Sequence, residues 1–149
     1  MDEIEYHSTY KDINPTRCVF EKAINSRACN CTQSTRFNLA DREGVSCKSK
    51  TAQQTCVSIL ISLRENARFV IQQKSIDGQL PHNAEIKIQN GAVKGLVTIL
   101  QDENLNEQNI HGVFQLALDR FNSVENFPYS ELMKEISAYQ VRRSRNKKK

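Results

Sequence analysis

The chain has 149 residues and a mass of 17.1 kDa, enough for one domain with a sizeable core and short for two. Hydrophobic residues make up 38% and charged residues 26%, and with only 5 Gly and 3 Pro the sequence is polar, poor in turns and suited to helices. The net charge of +4 is unevenly spread: Arg142, Arg143, Arg145, Lys147, Lys148 and Lys149 crowd the end of the chain, so the body through residue 141 is close to neutral.

Residues 1–13 show no period and read as a mobile arm. Their acidic start, MDEIEYHSTYKD, lacks the basic flank and apolar centre of a secretory signal, so the expected compartment is cytoplasmic. The longest apolar run, Cys56 to Leu63, is interrupted by Ser58 and Ser62 and too short to span a bilayer. Next, Asn14-Pro15 has the form of an N-cap followed by proline in the first helical position, and Val19, Phe20, Ala23 and Ile24 continue as one apolar stripe. At 100° per residue Cys18 falls almost opposite that stripe, as Cys29 would if the helix ran so far. Asn25, Ser26, Asn30, Thr32 and Ser34 compete for backbone hydrogen bonds, so the helix is expected to stop between Arg27 and Asn30. The stretch STRFNLADRE reads as a short helical turn, with Phe37 and Ala40 inward and Gly44 as its cap.

Thr51 to Gln73 carries the clearest helical pattern, with Ala52, Cys56, Ile59, Leu60, Leu63, Ala67, Val70 and Ile71 on one face. Cys56 lies on that stripe and reads as a small buried hydrophobe. After the SIDGQLP loop, residues 84–100 fit either a helix or a hairpin turning at Asn90-Gly91. Helix is preferred, because a lone hairpin among helices has no sheet to join. Ile110 to Phe121 and Leu132 to Tyr139 give two further amphipathic segments. The expected fold is mainly α: a compact bundle of about five helices over residues 14–141, with a Cys-rich third at 14–50 and a disordered basic tail at 142–149.

The chemistry of the sequence lies in its thiols. An odd count of five in a reducing compartment argues against a disulfide framework. Cys18, Cys29, Cys31 and Cys47, spaced C-x10-C-x-C-x15-C, fall at expected element ends, and four soft anionic ligands suit an iron–sulfur cluster or a tetrahedral zinc. A continuous helix would hold Cys18 and Cys29 about 16 Å apart, so convergence needs a reversal near residues 28–31. Zinc sites favour paired Cys-x2-4-Cys knuckles and the chain has no CxxC, which puts the cluster first and zinc second. Metal-free redox chemistry at Cys29 and Cys31, and purely structural cysteines, remain open. Seven cations (Arg17, Lys22, Arg27, Arg36, Arg42, Lys48, Lys50) against three anions (Glu21, Asp41, Glu43) favour thiolates in this region, with Arg17, Arg27, Arg36 and Lys48 as the residues to tune a centre or dock a partner.

His7, His82 and His111 read as surface side chains, with His82 the substitute should one cysteine not bind. No GxGxxG, GxxxxGKS, HExxH or GxSxG motif is present, which argues against an enzyme acting alone. The expected function is a small iron–sulfur protein serving a redox partner in electron transfer or redox sensing. The alternative is a helical binding module, with zinc or no metal, that touches nucleic acid or an acidic protein through Arg142, Arg143, Arg145, Lys147, Lys148 and Lys149.

Overall fold

In a computed structural model, residues 2–68 and 81–141 are described. In chain order they form α1 (Glu3–Ile13), α2 (Glu21–Asn25), a hairpin of β1 (Ser34–Leu39) and β2 (Arg42–Cys47), α3 (Lys50–Ala67), α4 (His82–Leu100), α5 (Ile110–Phe121) and α6 (Tyr129–Ala138). The fold is mainly helical, as the composition implies. The predicted basic tail, and the part of the long helix beyond Arg68, lie outside the described residues.

Helix α4 is the hub and packs against α2, α3, α5 and α6. Its apolar face carries Ile88, Ala92, Val93, Leu96 and Leu100 into a core shared with Phe20, Ile24, Ile59, Leu63, Phe114, Leu132 and Ile136. Asn90-Gly91 is no turn: a Cβ on Gly91 would stand 2.7 Å from the Ile136 Cα, so the missing side chain is what lets α6 lie against α4. Phe20 meets Phe114 edge-on with ring centroids 5.1 Å apart, tying the N-terminal segment to α5.

Three N-terminal expectations are corrected. Residues 3–13 form a helix: Asp2 caps it by accepting from the Glu5 N–H at 2.7 Å, and Tyr6 and Tyr10, one turn apart, are buried. Tyr10 packs on Phe37 with centroids 5.6 Å apart, and its hydroxyl donates to Glu21. Second, STRFNLADRE is a strand and turn. Ala40 and Asp41 both take positive φ (51° and 67°), which suits the twist of a two-residue hairpin. Gly44 is a strand residue opposite Phe37, whose ring occupies the space a Cβ would need.

Third, the first predicted helix is confined to Glu21–Asn25, because residues 16–18 are extended along β2. The Cys18 N–H donates to the Val45 carbonyl at 3.0 Å and the Cys47 N–H to the Thr16 carbonyl at 2.8 Å, with Arg17 opposite Ser46. The free edge of the hairpin thus gains partners for its backbone, and that pairing outweighs the local helical preference.

Candidate site at a thiol-lined cavity

The extended pairing of residues 16–18 with β2 decides where two sulfurs go. Side chains alternate along such a ladder, so Cys18 and Cys47, diagonal neighbours across the Arg17–Ser46 pair, fall on the same face. Ser34, opposite Cys47 in the hairpin register, shares that face. Just before β1 the chain turns tightly, the Ser34 N–H and hydroxyl both donating to the Cys31 carbonyl at 3.1 and 2.8 Å. That turn is pinned beside α5: the Ile110 N–H donates to the Asn30 carbonyl at 2.9 Å and the Thr32 N–H to Asn109 Oδ1 at 3.0 Å.

From the other side comes α3. Ser49 caps it, accepting from the Ala52 N–H at 3.1 Å, and Ala52, Gln53 and Cys56 then line one face of its first two turns. The Gln53 amide donates to the Arg17 carbonyl at 2.9 Å and holds this face against the Cys18 segment.

Cys18, Cys31, Cys47 and Cys56 accordingly surround one small apolar cavity of about 20 Å³, with Phe20 as part of its wall and His111 also lining it. Burial pushes the Cys18 thiol up to about 12 against a helping N–H from Phe20, and pushes Cys56 up further, with the charges of Cys18, Cys31 and Cys47 adding to it. Among the described residues, no three Cys, His, Asp or Glu side chains stand together as a site for a metal ion.

Cys29 is elsewhere. It is 7% exposed, sits in the core, and donates to Asn90 Oδ1 at 3.6 Å. Asn90 donates in turn to the Ser26 and Tyr139 hydroxyls at 3.2 and 3.1 Å. This network faces a separate, open cavity of about 490 Å³ along α4. Of the sequence-derived quartet the structure brings together Cys18, Cys31 and Cys47. The fourth place belongs to Cys56, which the apolar stripe had assigned to the core. The spacing around the cavity is C-x12-C-x15-C-x8-C. His82 lies away from the thiols, its ring 3.1 Å from the Lys22 ammonium.

Three of the four expected tuning cations are committed elsewhere. Arg17 pairs with Glu21 at 3.0 Å, while Arg27 and Arg36 share Glu43 at 2.8 and 3.6 Å. Lys48 is exposed beside Cys47. The six tail residues from Arg142 to Lys149 lie outside the described residues. Among those residues no helix is long and apolar enough to cross a membrane. Comparison with protein-family models, curated proteins and solved structures returns no match.

Proposed function

We propose that Cys18, Cys31, Cys47 and Cys56 hold an iron–sulfur cluster, and that the protein is a small electron-transfer or redox-sensing accessory. The observation that carries this reading is the arrival of four thiols, from four separate stretches of chain, around one apolar cavity. Packing alone has no need of cysteine at all four places, since small apolar residues would fill the same walls.

Burial raises the Cys18 and Cys56 thiols, so their binding as thiolates would need the positive charge of a metal to offset it.

Anaerobic purification followed by iron, zinc and acid-labile sulfide analysis tests the proposal. Iron and sulfide together, with broad thiolate-to-iron absorption in the visible, are the expected result. A colourless protein, whether it carries stoichiometric zinc or no metal, would overturn it.

A further inference from the structure

We propose that the groove between the Arg17–Lys22 segment and α3 docks an acidic, amphipathic helix of a partner protein, with one large apolar side chain entering the groove and carboxylates meeting the basic residues along it. The inference is independent of the thiols and of the cluster reading. A cavity of about 170 Å³ opens there, well below the roughly 300 Å³ at which small-molecule pockets begin, and it suits a single side chain. Val57 and Ile61, one turn apart on α3, line it together above the buried Leu60. Ile61 is 51% exposed and is one of three large apolar side chains left so open among the described residues. An open aliphatic side chain at the mouth of a partly apolar cavity gives a partner's apolar residue an anchor point.

Charge selects the partner. Two ion pairs line the cavity, and in each the carboxylate is turned inward and the cation outward. The side chains of Glu21 and Glu85 are 10% and 3% exposed, whereas those of Arg17 and Arg64 are 52% and 27% exposed. Further hydrogen bonds hold the carboxylates down: Glu21 accepts from the Val45 N–H at 2.7 Å and Glu85 from the Gln89 amide at 2.6 Å. Arg64 forks onto both Glu85 oxygens through Nε and Nη2 at 3.1 and 2.8 Å, a contact in which Nη1 takes no part. Arg17 lies over the Tyr10 ring, 5.1 Å from its centroid. With Lys22, three cations line the cavity against these two anions, a net +1 whose positive ends face solvent. Guanidinium groups already held in place lose little freedom on meeting a second carboxylate, so the groove is prepared for an anionic surface. The same field speeds its encounter, more so at low salt.

The test titrates the full chain, as purified, into fluorescently labelled synthetic helical peptides and follows anisotropy. One peptide carries a leucine stripe flanked by glutamates, a second has lysine for every glutamate, and a third has serine for every leucine. The acidic leucine peptide should bind, more weakly as salt rises, and the other two should not. Ile61→Ser should weaken that binding about tenfold, as loss of a central apolar anchor does, and Lys22→Glu about fivefold. Both side chains reach solvent, so unfolding midpoints should stay near the wild type and show that the fold is kept. No binding by the wild type would overturn the proposal. Equal binding of the serine peptide, or of the acidic leucine peptide to Ile61→Ser, would mean unspecific attraction of charge and would overturn it too. Phosphatidylglycerol vesicles that bind the wild type but not Ile61→Ser, with no peptide bound, would give the face to a lipid surface instead.

Discussion

The two halves of the molecule are held by different means. From α3 to α6 most contacts are matters of shape: Leu63, Ile88, Leu96, Phe114, Leu132 and Ile136 interlock, and Gly91 lets two helix axes come close, with Arg64 bridging α3 to the buried Glu85 of α4 at 2.8 Å. The N-terminal half depends on side chains that reach backbone. Glu21 accepts from the Val45 N–H at 2.7 Å as well as from Tyr10 and Arg17, Asn14 donates to the Val45 carbonyl at 3.0 Å, and Gln89 accepts from the Ala23 N–H at 2.9 Å. A short hairpin with little core of its own can be fixed in place when buried polar groups satisfy its backbone. The thiol cavity lies on the seam, three sulfurs from one half and Cys56 from the other.

Substitutions on the two sides should expose this difference. Phe114→Ala removes a fully buried ring that Phe20 packs against, and should cost about 4 kcal/mol in denaturant unfolding, the largest effect expected. Gly91→Ala should cost about 2 kcal/mol, since its methyl meets the backbone of α6 and the two helices must part. Tyr10→Phe keeps the ring on Phe37 but strips the hydroxyl from Glu21 and Asn14. About 1 to 2 kcal/mol should be lost, and hydrogen exchange should rise in α1 and the hairpin ahead of α4 and α6. An Asn14→Leu change that left that exchange pattern untouched would deny the polar anchoring claimed for this half.

Arg42→Ala marks the lower limit. Its hydrogen bonds with Glu3 hold that carboxyl below the ordinary range, so whatever the pair adds is present above the unfolded carboxyl value and fades as pH falls through the folded one. Both side chains are half or more exposed, so the ion pair is screened and the midpoint at neutral pH should hardly move.

The helical half could be read from the sequence because its stripes have one period and one destination. Ile59, Leu63, Val93, Leu96, Val113, Phe114, Leu132 and Ile136 all face the core their spacing implies. The N-terminal half was obscured by tertiary pairing. Thr16 to Cys18 carry a helix-start pattern yet lie along β2, and no local signal in those residues reports the hairpin edge that claims them. Tyr6 and Tyr10 make no legible stripe because their neighbours in the chain are polar, although their rings are buried.

The thiols show the same limit in miniature. Periodicity puts Cys56 on the inward face of α3 correctly, but cannot say that the first turns of that face meet the hairpin rather than the helices. Cys29, in polar surroundings by sequence, is carried against α4 by the turn at residues 26–28, where Arg27 has φ 70°. Composition around a cysteine describes its chain neighbours, whereas its fate is set by what the fold brings opposite.

The most direct test is the metal content of two conservative variants, Cys56→Ser and Cys29→Ser, purified anaerobically beside the wild type with unfolding followed as a control. The arrangement described here predicts that Cys56→Ser loses at least tenfold of its iron and sulfide while remaining folded, and that Cys29→Ser keeps the wild-type amount. Iron retained by Cys56→Ser and lost from Cys29→Ser would contradict it.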